Sequence, residues 1–128
     1  MKYYYNKIVE GDFEQVIEKV TEALKTEGFG VLTEIDFSGT IKKKLDKDMP
    51  AYRILGACNP NFAYKAYQAE DKIGTMLPCN VIVQDAGDGK VEVSAVNPIA
   101  SMMGIENDTL ADVAGEVKSK LERVIDSL

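Results

Sequence analysis

Residues 52–60 have the sequence Tyr-Arg-Ile-Leu-Gly-Ala-Cys-Asn-Pro, an apolar run that ends in a helix-start signal. The run over 52–57 is rich in the aliphatic and aromatic side chains that strands prefer. Asn59 is a favoured residue at a helix N-cap, and Pro60 is favoured at the first helical position. The segment therefore predicts a strand followed at once by a helix, with Cys58 at the junction.

The chain before this segment predicts two more strands and two more helices. Residues 2–9 have a strand composition. Residues 13–26 carry apolar side chains at helical spacing, with Asp12 as the expected N-cap and Gly28 as the residue that ends the helix.

Residues 30–36 alternate as a strand, and the alternation places Val31, Thr33 and Ile35 on one side. We expect Ser38 to cap a short helix after it.

The chain after this segment predicts a hairpin and a long final helix. Residues 79–85 and 90–96 have strand patterns, and Gly87-Asp88-Gly89 between them is a hairpin signal. A helix that starts near Asp108 has one apolar face. The element order is β-α-β-(α)-β-α-β-β-α, which predicts an α+β fold: a mostly antiparallel sheet with helices on one face. The other face must be solvated, bind something, or pair with a second subunit.

Composition limits the classes of function. The chain has 128 residues, no histidine and a formal charge of −6. The length suits one domain over residues 1–128. The lack of histidine excludes Ser-His-Asp and Cys-His catalysis and histidine-ligated metals. The acidic balance argues against nucleic acid, and no apolar run is long enough for a membrane span.

The two cysteines suggest a reducing compartment, where they would be free thiols. The N-terminal segment also lacks a signal-peptide pattern. We therefore expect a cytoplasmic protein. Two thiols without an imidazole do not complete a zinc site, so no metal ligands are predicted, and no cofactor is identified.

Cys58 is the first candidate for chemistry, because it precedes a helix start. The N-terminus of a helix favours the thiolate form of a nearby cysteine and can also bind an anion. Cysteine is also common as a small buried hydrophobe. Cys58 is therefore a reactive thiol or a core residue.

Cys79 and Asn80 repeat the cysteine-asparagine pair of Cys58 and Asn59. The two pairs lie at one edge of the sheet if their strands are antiparallel, and at opposite ends if the strands are parallel. The antiparallel arrangement predicts a small polar pocket without a disulfide. There Cys58 would be the reactive thiolate, Cys79 its resolving partner, and the two asparagines would orient a ligand.

Three further residues are candidates for ligand binding. Pro60 belongs to the same corner of the sheet. Arg53 lies alone in an apolar strand, where it could bind an anion, be paired, or face solvent. Asn97 precedes a proline, as Asn59 does, and could either join the site or simply cap a turn.

The segment 52–60, the segment 77–81 (Leu-Pro-Cys-Asn-Val) and the segment 93–98 (Val-Ser-Ala-Val-Asn-Pro) together resemble the domain of unknown function 302 family. The resemblance covers essentially the whole chain. It implies a TATA-binding-protein-like α+β fold, commonly a homodimer, and it implies no settled activity. At Asn97 it leads us to expect aspartate as readily as asparagine.

Two hypotheses of function follow. The first is a cytoplasmic homodimeric domain whose polar pocket around the two cysteine-asparagine pairs binds a small ligand or relays thiol redox chemistry. The second is a non-catalytic module that recognises a partner protein through the open sheet face. The sequence does not say whether the protein is an enzyme.

Overall fold

The structure is a computed structural model that describes residues 1–128. The chain forms five strands and five α-helices. The strands are β1 (Tyr4–Glu10), β2 (Gly30–Asp36), β3 (Tyr52–Cys58), β4 (Cys79–Gly87) and β5 (Lys90–Val96). The helices are α1 (Phe13–Thr26), α2 (Phe37–Leu45), α3 (Pro60–Ala69), α4 (Pro98–Ser101) and α5 (Asp108–Asp126), with a 3₁₀ helix at Asp71–Met76.

The five strands form one sheet in the order β1-β5-β4-β3-β2, and every neighbouring pair is antiparallel. The predicted α+β class and the antiparallel sheet are confirmed. Alternation along each strand sends odd and even positions to opposite faces. In β3, β4 and β5 the odd-numbered residues face the helices.

The core lies between this covered face and the helices. Leu55, Val81 and Val93 have no exposed surface, and they belong to one cluster of 23 buried residues. α1 and α5 supply the opposing side through apolar stripes that include Val20 and Leu121. Each large side chain buried in this way contributes about 1.5–3 kcal/mol.

The predicted ends of α1 are confirmed. The Asp12 side chain accepts a hydrogen bond from the backbone N–H of Gln15. At the other end Gly28 has φ +85°, a backbone conformation that glycine adopts without strain. The N–H groups of Gly28 and Phe29 donate to the carbonyls of Lys25 and Leu24, which completes a Schellman motif.

The strand β2 differs from its predicted alternation. Val31 pairs with Ala57, whereas Thr33 pairs with Gly56, and the register shifts between them. The extra residue, Leu32, forms a bulge, so Val31 faces the helices while Thr33 faces the other side. The prediction that these residues share one side was wrong, because one bulged residue reverses the alternation.

The predicted cap of α2 was also wrong. Asp36 is the N-cap, and its carboxylate accepts a hydrogen bond from the N–H of Gly39 at 3.0 Å. The Ser38 hydroxyl instead accepts a hydrogen bond from the N–H of Tyr52 at 3.0 Å. Ser38 therefore ties α2 to the start of β3.

The hairpin and the final helix follow the sequence closely. Gly87, Asp88 and Gly89 all have positive φ, between 55° and 79°, and join β4 to β5. Asn107 caps α5 by accepting a hydrogen bond from the N–H of Leu110. None of the helices is both long enough and apolar enough to cross a membrane.

Candidate functional site

The strand register brings the two cysteines to the same end of the sheet. Cys79, at the start of β4, pairs with Ala57, the residue immediately before Cys58 in β3. Both thiols are free. The antiparallel alternative is therefore correct, and it follows from the return path through the 3₁₀ helix.

The space beside the cysteines is small and apolar. A cavity of about 30 Å³ lies between this end of the sheet and α3 and α5. Cys58, Asn59 and Cys79 contribute to its lining, but most of the wall is hydrophobic, with Phe29, Phe62, Leu77 and Met102 among the lining residues. This volume suits a water molecule and is about a tenth of that of an ordinary small-molecule pocket. The predicted polar pocket was therefore wrong.

Burial makes Cys79 a weak acid. Only 8% of the residue is exposed, and desolvation, with a smaller contribution from Cys58, raises the pKa of the Cys79 thiol to about 11. At pH 7 only about one Cys79 in 10,000 would be ionised, and the thiolate is the nucleophile in thiol exchange. This burial argues against Cys79 as a resolving thiol. Cys58 is partly exposed, and its reactivity stays a prediction.

Asn59 has a structural partner in α1. It occupies the N-cap position of α3 but makes no side-chain cap hydrogen bond. Its Nδ2 instead donates to the carbonyl of Glu27 at 3.2 Å. Asn59 is 9% exposed and packs against Gly28. Its amide therefore joins the end of α1 to the start of α3. Pro60 occupies the first helical position, as predicted.

Arg53 lies far along β3 from Cys58, and it is paired. Its guanidinium contacts Glu34 at 2.7 Å and Glu14 at 2.8 Å. It also lies over the Phe13 ring, 5.6 Å from the centroid. These two carboxylates occupy both terminal nitrogens, so the structure does not place Arg53 with the cysteines or leave it free for an anion.

Asn97 anchors the N-terminal segment of the chain. Its Oδ1 accepts from the N–H of Ile99, which caps α4, and its Nδ2 donates to the carbonyl of Lys2 at 3.0 Å. Its backbone N–H donates to the carbonyl of Tyr3 at 2.8 Å. The oxygen and the nitrogen of the Asn97 side-chain amide are therefore both hydrogen-bonded within the fold, as expected for a residue that caps a turn.

Asn80 points away from Cys79, onto the uncovered face of the sheet. We call this the open face. Its side chains lie in three rows that cross the strands, deduced from the register. The middle row is an isoleucine stripe that ends in two polar residues: Ile35, Ile54, Ile82, Ser94 and Asn6. The flanking rows are Thr33, Gly56, Asn80, Val96 and Tyr4, and Tyr52, Gln84, Glu92 and Ile8.

A groove of about 530 Å³ occupies the centre of the open face. Tyr3 and Tyr4 are part of its wall on one side, and Tyr52 on the other. Its polar lining residues are Asn80, Gln84, Glu92 and Ser94, and the rest of the lining is apolar. The groove therefore combines aromatic, aliphatic and hydrogen-bonding surface, as ligand-binding clefts do.

The polar groups of the groove are largely without partners in the chain. Ser94 is 6% exposed, and its hydroxyl makes no hydrogen bond to another residue. Glu92 is half-buried and belongs to no ion pair, although Asn6 donates to its Oε2 at 2.7 Å. The hydroxyl of Ser94 and one oxygen of Glu92 are therefore available to a ligand in the groove, whereas the one buried side-chain polar atom without a partner is Nε of Arg53.

Sequence reasoning identified Asn80 but missed the other groove residues. Gln84, Glu92 and Ser94 alternate with buried valines, which is the ordinary pattern of a half-exposed strand. The only signal was that the uncovered face had to be solvated or occupied. Their juxtaposition depends on the pairing of β4 with β5. The structure contains no cluster of three or more cysteine and carboxylate ligands suited to a metal ion.

The protein is a small α+β domain built on a five-stranded antiparallel sheet. Helices cover one face of this sheet, and the other face is open and carries the groove. Residues 5–128 match the family model described as "Domain of unknown function DUF302", and the chain belongs to that family.

The fold is similar to the crystal structure of an uncharacterised conserved DUF302 protein from Bacillus stearothermophilus. The TM-score is 0.91 at 25% sequence identity, and the match covers 98% of each chain. A search of the curated proteins finds no match.

Proposed function

We propose that this protein is a small-molecule binding domain and that the groove on the open face is its binding site. The observation that supports this most directly is the groove itself, a concave space of about 530 Å³ that is lined by aromatic and aliphatic side chains and by the polar side chains of Asn80, Gln84, Glu92 and Ser94. The hydroxyl of Ser94 lines the groove and makes no hydrogen bond to another residue, so it is available to a ligand.

The size of the groove favours it over the region around the cysteines. The groove has about 530 Å³, whereas the cavity beside Cys58 has about 30 Å³. Of these two sites, the groove is the one that falls in the range of about 300–1,000 Å³ that is usual for ligand sites. It also presents amide, hydroxyl and carboxylate groups that could fix the orientation of a ligand.

We also propose that two copies of the chain form a homodimer through their open faces. The sheet has five strands, most of them seven residues long, so the face measures about 24 by 23 Å. Two such faces would bury about 1,100 Å², which is just above the area that a specific interface needs. The exposed isoleucines Ile8 and Ile35 extend the apolar surface on the two edge strands.

Charge on the open face is compatible with self-association. The three rows of the open face contain one charged residue, Glu92. Outside these rows, Glu10 and Lys90 face each other across β1 and β5. Depletion of charge and enrichment in tyrosine are typical of interface cores. In this dimer the two grooves would open onto each other, so the ligand and the partner would share the face.

The free thiols support a reducing compartment, and we propose the cytoplasm as the site of action.

Chemical-shift mapping of the amide NMR spectrum tests the binding site. A set of small cationic, neutral and anionic molecules is titrated into the protein, with Ser94→Ala and a matched control, Ser119→Ala on the exposed surface of α5. We expect shifts at Asn80, Gln84 and Ser94, weakened by Ser94→Ala and unchanged by Ser119→Ala. Shifts confined to the residues around Cys58, or no shifts at all, would overturn the proposal.

Sedimentation equilibrium at micromolar concentration tests the dimer. We expect a species of twice the chain mass, and Ile54→Lys should convert it to a monomer, because the charge would be buried in the interface. A species of 14.1 kDa alone would contradict the dimer without affecting the groove.

A further inference from the structure

The one charged residue in the lining of the groove is acidic. Glu92 forms no salt bridge, and the ammonium of Lys2, which lies beside the groove, donates instead to Oδ1 of Asn6 at 3.4 Å. Asn6 donates to one oxygen of Glu92, which leaves the other without a partner in the chain. In a half-buried site a carboxylate attracts a cation more strongly than it would in water.

The aromatic wall of the groove already attracts a cation. The ammonium of Lys2 lies over the Tyr4 ring, 4.7 Å from its centroid. Tyr3 meets the Tyr4 ring edge-on, with centroids 4.9 Å apart, and this contact supports the ring. Ammonium groups bind the faces of aromatic rings with about 0.5–2 kcal/mol. Lys2 is exposed, so a ligand cation can replace it without disturbing the core.

The remaining polar groups select a hydrogen-bonding ligand without demanding a negative one. Ser94 can donate or accept a hydrogen bond, and so can the amides of Asn80 and Gln84. None of these three side chains is committed to another group of the chain. An anionic ligand would meet the carboxylate of Glu92 within the groove, where the nearby cation, Lys2, already lies over the Tyr4 ring.

We propose that the groove binds a small organic cation, a protonated or quaternary amine that also carries a hydroxyl or another polar group. The inference rests on the proposed function, since it names the class of ligand for the same site. The ammonium group lies between Glu92 and the tyrosine wall, and the polar group of the ligand hydrogen-bonds to Ser94 or to the neighbouring amides.

Choline and its uncharged carbon isostere, 3,3-dimethylbutan-1-ol, provide a matched pair of probes. They differ in charge and have nearly the same shape. Each is titrated into the full chain in its native oligomeric state, with binding followed by amide chemical shifts and by calorimetry. We expect choline to bind about tenfold more tightly than the isostere and to lose affinity as salt is added, because salt screens the attraction.

Two substitutions test the electrostatic part of the proposal. Glu92→Gln should weaken choline binding about fivefold and leave binding of the isostere unchanged. Glu116→Gln removes the same charge from an exposed position on α5 and should change neither. Lys2→Gln should strengthen choline binding, because it removes the ammonium that competes for the Tyr4 ring.

The outcomes separate the inference from the function on which it rests. If both probes bind in the groove with equal affinity, the groove is a binding site and the inference about cations is wrong. If Glu92→Gln and Glu116→Gln weaken choline equally, the attraction comes from the net charge alone, and the inference is again wrong. If neither probe binds and no other small molecule shifts the groove residues, the proposed function itself fails.

Discussion

Two neighbouring residues of β3 show how differently the two faces of the sheet are used. Leu55 points to the helices and has no exposed surface, whereas Ile54 points to the open face and is only partly buried. The same contrast separates Val81 from Ile82 in β4. The chain places aliphatic residues on both sides of these strands but builds its helix layer on one. The covered face accounts for the core, and the open face keeps apolar surface that the fold does not use.

The polar residues of the two regions differ in the same way. Asn59 and Asn97 are buried near the ends of the helices, and their amides donate to backbone carbonyls. Ser94 on the open face lines the groove and makes no hydrogen bond to another residue. A polar group that is bonded within the chain is explained by the fold, whereas one that faces a groove without a partner in the chain is available to a ligand. This difference is the reason for placing the ligand site in the groove and not beside the cysteines.

The largest expected effect comes from truncating one residue on each face. Leu55→Ala should lower the free energy of unfolding by about 2–5 kcal/mol, because it removes buried methyl groups and leaves a cavity. Ile54→Ala, its neighbour, should lower it by about 1 kcal/mol or less in the monomer. Urea denaturation of both variants measures the difference. Equal losses would show that the open face contributes to the core as much as the covered face does.

A pH titration tests the covered region through Cys79. Its pKa is about 11 in the fold against a reference of 9.0, so the folded state holds the proton more tightly than the unfolded state. The stabilisation is present below pH 9 and is lost as the pH rises through 11, up to about 2.7 kcal/mol for two pKa units.

The check is the stability difference between the natural protein and Cys79→Ala at pH 8 and at pH 11. It should shrink at the higher pH, and a constant difference would contradict the burial of the thiol.

Gly56 tests how closely the open face is packed at its edge. A Cβ atom there would collide with Oγ1 of Thr33 and would lie 2.8 Å from Cγ of Pro78. We expect Gly56→Ala to destabilise the fold by about 1–3 kcal/mol, as overpacking does. The double variant Thr33→Ala/Gly56→Ala relieves one of the two collisions and should recover part of the loss in thermal denaturation. No recovery would mean that Pro78 alone sets the limit.

Asn97→Asp gives the smallest expected effect and separates two roles of one side chain. Aspartate retains the oxygen that accepts from Ile99 but loses the N–H that donates to the carbonyl of Lys2. We expect a loss of about 1 kcal/mol, and a comparable further loss in Asn97→Ala, which removes the cap as well. Hydrogen exchange of the N-terminal amides measures how firmly the hydrogen bond to the carbonyl of Lys2 anchors that segment. Unchanged exchange in Asn97→Asp would show that this anchor is dispensable.

Local signals in the sequence were sufficient for most of the secondary structure. The bounds of α1, the hairpin at Gly87–Gly89 and the start of α3 after Asn59 follow from capping, turn and periodicity rules that act within a few residues. The errors affected only a few residues. The bulge at Leu32 and the cap at Asp36 depend on how β2 pairs with β3, and the alternation within a single strand carries no information about that pairing.

The sequence by itself determined the element order and the antiparallel α+β class, because each rests on short-range preferences and chain length. If β3 and β4 pair in the antiparallel sense, the same pattern places Cys58 and Cys79 at one end of the sheet, and the register confirms that pairing. Only the tertiary structure decided which polar residues are free. Asn59, Asn97 and Arg53 found partners in distant segments, whereas Ser94 and Glu92 converged with Tyr4 and Tyr52 on an uncovered face. Whether a side chain is satisfied depends on neighbours far away in the chain, and a linear pattern does not record those neighbours.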